Sequence, residues 1–290
     1  MILKGTVTAL VTPFRNGLVD HESLRKLVEF QISSGVQGLL ACGCTGEPAT
    51  LSEREKLDVI HTVLEAADGK VSVIAGTGTN ATASTVSFTE TVSNSGVDAV
   101  LVITPYYNKP TAQGQLAHYN AVADASRKPV IIYNVPGRTG TNMTVETIAR
   151  LGEHPNIAGV KDAAGNIERV TQLRSLSSMT YMSGDDHLSL SQVFMGGDGV
   201  VSVASNVVPF QMSSMIQLGL SGKVKQAREY HDSLYSLFKV LFVETNPSPV
   251  KKALQLMGII ASDMPREPLV PMREESTHIL KGVLEAMELV

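Results

Sequence analysis

The sequence predicts a (β/α)8 barrel, a TIM barrel, carrying a C-terminal helical extension. Eight short β-prone apolar runs, helix-period segments between them, and a glycine junction that recurs ahead of the runs carry that expectation. The runs begin near Thr6 (TVTAL), Gly38 (GLLAC), Val71 (VSVIA), Asp98 (DAVLVI), Pro129 (PVIIY), Ile157 (IAGVK), Met179 (MTYMS) and Gly199 (GVVSV), at intervals of 20 to 33 residues. An open doubly wound sheet more often stops at five to seven strands, so eight units favour closure.

Between the runs, apolar residues recur at helical spacing, as in Leu24, Leu27, Val28 and again in Leu57, Ile60, Val63, Leu64. Ser52-Glu53-Arg54-Glu55 fits a capping box, and Asn80 fits a helix N-cap. Ser34-Gly35-Val36-Gln37 and Ser95-Gly96-Val97-Asp98 each place a glycine where a helix closes before a buried strand, and Gly197-Asp198-Gly199-Val200 is a looser copy. Strands apolar throughout and joined by helices imply a parallel sheet covered on both faces.

Beyond Leu220 the alternation stops. Helix-like stretches over 223–243, 250–260 and 273–288 follow, punctuated by Pro247, Pro249, Pro265, Pro268 and Pro271. The expected division is therefore a barrel over 1–222 and a helical domain over 223–290, the latter too small for much of a core of its own.

Composition narrows the function. The chain has 290 residues, and 24 Lys+Arg against 28 Asp+Glu give a net charge of -4, which favours neither nucleic acid nor an anionic membrane. With no long apolar run and no basic leader, a soluble, cytoplasmic protein is expected. Cys42 and Cys44 are the only cysteines and are one residue apart, which excludes a disulfide scaffold. No two of the seven histidines lie three or four apart, so a metal site would have to be assembled by tertiary folding.

In a barrel, chemistry sits where strands end. Here those ends are polar: Cys44-Thr45-Gly46-Glu47, Gly76-Thr77-Gly78, Thr104-Pro105-Tyr106-Tyr107, Tyr133-Asn134, Lys161-Asp162 and Gly184-Asp185. The two-residue period puts Lys161 on the face of Ile157 and Gly159. If that face is the barrel interior, desolvation lowers the amine's pKa and frees a nucleophile for Schiff-base chemistry. The competing reading is a strand-end lysine reaching solvent. Tyr133 ends its run in the same way, as a proton donor and acceptor or as a packed tyrosine. Arg138, in Pro136-Gly137-Arg138-Thr139-Gly140, offers a bidentate carboxylate clamp or is an exposed loop arginine.

Two glycine clusters are decoys. Gly76-Thr77-Gly78-Thr79-Asn80-Ala81 with Asp98 mimics a dinucleotide fingerprint, but Asp98 precedes its strand and falls at the wrong edge of the sheet. Gly196-Gly197-Asp198-Gly199 precedes its strand as well.

Taken together, Cys44-Thr45-Gly46-Glu47, Pro105-Tyr106-Tyr107-Asn108-Lys109-Pro110, Tyr133-Asn134-Val135-Pro136-Gly137-Arg138-Thr139, Gly159-Val160-Lys161-Asp162, Ser183-Gly184-Asp185-Asp186 and Asn246-Pro247-Ser248-Pro249-Val250-Lys251 resemble the dihydrodipicolinate synthase family of pyruvate-dependent aldolases. The resemblance runs from Gly5 to the C-terminal helices. It implies that Lys161 condenses with pyruvate, without metal or organic cofactor, and that the enamine attacks L-aspartate-4-semialdehyde.

The same resemblance gives Tyr133 the handling of protons and makes Thr45, Gly46, Arg138 and Val203 substrate-binding residues, with Thr45 and nearby amides on the pyruvate carboxylate. It also implies a homotetramer in which Tyr107 enters a neighbouring subunit's site. The chain departs from the pattern at Cys44, where most members have a threonine linking the two tyrosines. Lysine feedback is expected to be weak, because sensitive members carry a histidine at the position of Lys56 and a glutamate at that of Ser84. The rival readings are a lyase of N-acetylneuraminate or 2-keto-3-deoxy sugar acids, which Arg138 argues against, and a non-catalytic metabolite-binding barrel.

Overall fold

The structure is a computed structural model that describes residues 3–290. Eight parallel strands close into a barrel: β1 (Gly5–Ala9), β2 (Gly38–Ala41), β3 (Ser72–Gly76), β4 (Ala99–Ile103), β5 (Val130–Asn134), β6 (Ile157–Asp162), β7 (Thr180–Ser183) and β8 (Gly199–Ser202), with β8 pairing back onto β1. Each begins within one residue of the expected run. Between and after them lie α1 (His21–Ser33), α2 (Glu53–Ala67), α3 (Thr82–Ser93), α4 (Ala112–Ala125), α5 (Val145–Leu151), α6 (Glu168–Leu176), α7 (Asp186–Phe194) and α8 (Pro209–Leu220).

Two apolar clusters sort the strand residues by parity. Val7, Ala9, Leu40, Ile74, Leu101, Ile131, Tyr133, Met182 and Val201 fill the barrel interior. Their alternates, such as Leu39, Val73, Val100, Val102, Ile132, Val160 and Tyr181, pack against the helices. Both faces are buried, which is why the strands are apolar throughout.

One strand breaks the simple period. On β6, Ile157 pairs with Val130 and Gly159 with Ile131, so Ala158 is an extra residue and the register shifts. Ile157 thus packs toward the helices and does not share the face of Gly159 and Lys161, contrary to the two-residue extrapolation.

The recurring junctions share one device. At the first two, Gly35 and Gly96 take φ of 82° and 101°, a left-handed conformation that favours glycine, and at the third it is Gly196, one residue ahead of the expected run, that takes 101°. The polar residue that follows caps the neighbouring strand. Gln37 Oε1 accepts from Thr6 N–H at 2.7 Å, Asp98 Oδ2 from Val73 N–H at 2.8 Å, and Asp198 Oδ2 from Tyr181 N–H at 2.9 Å. Asp98 is therefore occupied at the edge of the sheet away from the strand ends.

Helix starts follow the expected chemistry except at one position. Ser52 and Glu55 form the reciprocal capping box of α2. Asn80 does not cap α3; the boundary residue is Ala81, and the loop is instead held by Thr79 and Thr85, whose hydroxyls lie 3.0 Å apart.

The tail folds as α9 (Val224–Val240), α10 (Ser248–Leu256) and α11 (Glu274–Ala286). Leu234, Leu237, Phe238 and Leu241 are buried, and α9 packs on α7 and α8. Lys251, fully buried on α10, donates to Glu47 Oε1 at 2.7 Å and to the Met264 carbonyl at 2.9 Å. Arg266 donates from its backbone N–H to Glu47 Oε2 at 2.9 Å and pairs through its guanidinium with Glu55. No helix among the described residues is long and apolar enough to cross a membrane.

Candidate active site

Lys161 and Tyr133 face each other in register on β6 and β5. Both belong to the interior parity set and both are buried, at 5% and 6% exposure. The Lys161 ammonium lies 4.1 Å from the centre of the Tyr133 ring. Among the described residues no carboxylate comes within 4.0 Å of it, whereas Lys251, the other deeply buried lysine, is neutralised by Glu47. Desolvation is the main cause that brings the Lys161 pKa down from 10.5 to about 8. Nearby Cys44, Asp186 and Asp185 oppose it in part.

Burial pushes the Tyr133 phenol well above its ordinary value. Cys44 beside it, within hydrogen-bonding reach, adds to that, and Arg138 works in the opposite direction. The Tyr133 backbone carbonyl is fixed by Thr104 Oγ1 at 2.9 Å, and the Thr104 hydroxyl also lies 3.2 Å from the Tyr119 hydroxyl. Behind the site, Asn134 donates to Asp162 Oδ1 at 3.0 Å, and Asp162 Oδ2 accepts from Arg169 at 2.7 Å. These buried bonds tie the ends of β5 and β6 together and hold the two candidate reactive side chains in place.

A cavity of about 380 Å³ opens in front of Tyr133, walled also by Cys44, Arg138, Tyr106, Lys56 and Asn246. Arg138 is exposed on the short helical turn Pro136–Thr139 that follows β5 and donates through Nη2 to the Asn246 carbonyl at 3.2 Å. The Glu47 carboxylate at the wall is spent on Lys251 and Arg266, so the free charges facing this space are cationic and suit carboxylates.

Thr45 and Gly46 lie in the single 3-10 turn Cys44–Gly46 after β2. The Thr45 hydroxyl accepts from Asn246 Nδ2 at 3.1 Å. Gly46 N–H donates to the Gly43 carbonyl at 2.8 Å and is not open to a ligand. What Gly46 supplies is room, since a Cβ there would stand 3.2 Å from the Leu10 carbonyl oxygen and 3.3 Å from Thr12 Oγ1. Val203 N–H is likewise taken, donating to Asp186 Oδ2 at 3.1 Å, and its side chain packs in the helix-side core.

Of the expected site residues, Cys44, Tyr133 and Arg138 line this cavity, whereas Lys161, Thr45, Gly46, Val203 and Tyr107 are not among its walls. Tyr107 is 89% exposed, with φ of 72°, while its neighbour Tyr106 lines the cavity. Two further participants lie in motifs quoted for the resemblance, which gave them no role. Asn246, 201 residues from Thr45, and the Glu47–Lys251 pair, 204 residues apart, meet only because the tail folds back over the barrel mouth. Of the decoy glycines, Gly76 and Gly78 serve packing: a Cβ would collide with the Cys42 carbonyl oxygen or the Ile103 backbone nitrogen. Among the described residues no three of His, Cys, Asp and Glu gather as a metal-holding group.

The fold has known counterparts. A family model described as dihydrodipicolinate synthetase matches residues 2–287. The chain is 44% identical to a 4-hydroxy-tetrahydrodipicolinate synthase of Persephonella marina and 43% identical to one of Geobacter metallireducens, over 100% of both chains in each case. The crystal structure of the dihydrodipicolinate synthase of Thermotoga maritima superposes with a TM-score of 0.97 at 42% identity, covering 100% of both chains. That of Aquifex aeolicus gives a TM-score of 0.97 at 41% identity, covering 99% of each. The chain therefore belongs to the dihydrodipicolinate synthetase family.

Proposed function

We infer that this enzyme is a 4-hydroxy-tetrahydrodipicolinate synthase, a lyase of lysine and diaminopimelate biosynthesis that condenses pyruvate with L-aspartate-4-semialdehyde. The observation that carries the chemistry is Lys161: buried, without a carboxylate partner, and with its pKa lowered to about 8. A lysine in that state holds a useful fraction of neutral amine near neutral pH.

In this reading Lys161 Nζ adds to the ketone carbon of pyruvate, and loss of water leaves the imine. Tyr133, having given its proton to the departing water, takes a methyl proton to form the enamine, whose carbon attacks the aldehyde of the second substrate while the new alkoxide takes that proton from Tyr133. The amino group of the second substrate then attacks the imine carbon, closes the ring and returns Lys161 as the free amine. The lysine is its own electron sink, so no organic cofactor or metal is called for.

The Thr45 hydroxyl holds the pyruvate carboxylate, with Gly46 leaving room for the turn that carries it, and Arg138 holds the carboxylate of the semialdehyde. Cys44 passes the proton between Tyr133 and Tyr107. The exposure of Tyr107 supports its entry into a neighbouring subunit's site in a homotetramer. The enzyme acts in the cytoplasm.

The test is a coupled assay with purified protein, pyruvate and aspartate semialdehyde. Condensation with the semialdehyde is expected, and Arg138→Ala should impair its use far more than formation of the pyruvate adduct. A clear preference for N-acetylmannosamine would assign the protein to the sugar-acid lyases, and no adduct with pyruvate would make it a binding barrel.

A further inference from the structure

We propose that Asn246 is a positioning residue for the pyruvate half-site, setting the direction in which the Thr45 hydroxyl points its hydrogen. The inference rests on the reaction inferred above. Asn246 is 4% exposed in the wall of the cavity, at the hinge between α9 and α10, and engages the site by two separate routes. Its side chain donates from Nδ2 to Thr45 Oγ1 at 3.1 Å, and its main-chain carbonyl accepts from Arg138 Nη2 at 3.2 Å.

The first bond has a direction. A hydroxyl that accepts from an amide is left with its own hydrogen to give, and beside a bound carboxylate that hydrogen goes to the anion. If the amide were turned over, Thr45 would donate to Asn246 and have no hydrogen for the substrate. The observed orientation leaves one buried acceptor, Oδ1, without a partner. The reversed one would bury an amino group with no partner in place of that oxygen. In the observed sense Thr45 is the acceptor and keeps its own hydrogen to give.

The second bond uses the main chain, which no side-chain substitution removes. Side-chain variants should therefore separate the half-sites: the pyruvate side responds and the Arg138 side does not. They should also rank in an order that packing alone would not give. Asn246→Asp matches the native side chain in shape but cannot donate; it draws the Thr45 hydrogen to itself and sets a carboxylate near the substrate's own. Asn246→Ala removes the donor and leaves Thr45 free to turn.

The experiment measures KM for each substrate and the pyruvate concentration that half-saturates borohydride-trapped adduct, for the whole protein and both variants, with thermal melts recorded alongside. Asn246→Asp is expected to raise the pyruvate values about 30- to 100-fold and Asn246→Ala about 3- to 10-fold, each leaving the semialdehyde KM within roughly 3-fold. Unchanged pyruvate values in both variants, equal losses on the two substrates, or Asn246→Asp outperforming Asn246→Ala would overturn the proposal. Should Asn246→Asp not fold, Asn246→Ala decides through the split between the two substrates. Failure of the wild-type protein to form any adduct would instead count against the inferred reaction.

Discussion

Cys44 sits beside Tyr133, to which we assign the handling of protons, and burial and the thiol itself both raise the energy of ionising that phenol. A thiol donates weakly and its longer bonds displace the proton, yet it still carries a hydrogen that can be passed on. Cys44→Thr should therefore keep or raise kcat, whereas Cys44→Val, with no transferable proton, should lower it by about 10- to 100-fold. Steady-state kcat and adduct formation, measured separately, check this. A valine variant as fast as wild type would mean that Cys44 only packs and that water carries the proton.

The lowered pKa of Lys161 makes a second prediction. Nucleophilic attack needs the neutral amine, so the rate of adduct formation should climb as pH rises through about 8 and level off above it. An ordinary lysine would still be climbing at pH 10. The parity of β5 and β6 already pointed to Tyr133 and Lys161, since neighbours at the ends of apolar strands face the same interior. Ile157 was misplaced because a bulge is a two-against-one pairing that no single strand displays in its own sequence. The roles of Asn246 and Lys251 were hidden for another reason: their partners lie more than 200 residues away.

Among the elements, the eight strands were legible to within a residue because each is apolar on both faces and bounded by polar or glycine punctuation. The junction device was legible only in part. The glycines mark helix ends, but that Gln37, Asp98 and Asp198 cap adjacent strands depends on which strands are neighbours. Asp98→Ala should leave the Val73 N–H without its acceptor and cost about 1–2 kcal/mol, with kcat unchanged because the bond lies at the end of the barrel opposite the chemistry. Denaturant titration and steady-state kinetics on the one variant check both halves. The Asn80 expectation failed on a related limit: competing threonines nearby offered the loop a different set of bonds.

For the whole molecule, the division into a barrel over 1–222 and a tail over 223–290 is useful for describing the chain, but we expect the two not to be independent. Breaking a buried ion pair leaves an uncompensated charge, so Lys251→Met should destabilise the protein by about 3–5 kcal/mol and loosen the tail and barrel mouth together. A single cooperative melt at lower temperature is expected, and two separate transitions would show the parts to be autonomous. Lysine feedback belongs to this scale as well. Lys56, Pro48, Ala49 and Tyr106 line the same cavity, and with Lys56 adding a positive charge there, inhibition by lysine should be weak or absent. Potent saturable inhibition below millimolar lysine would contradict that.

Every step of the inferred reaction passes through one amine, and it can be trapped. Purified protein incubated with pyruvate and borohydride, digested and mapped by mass spectrometry, should carry the reduced pyruvate adduct on Lys161 and on no other lysine. An adduct on Lys109 or Lys251, or none at all, would contradict the account.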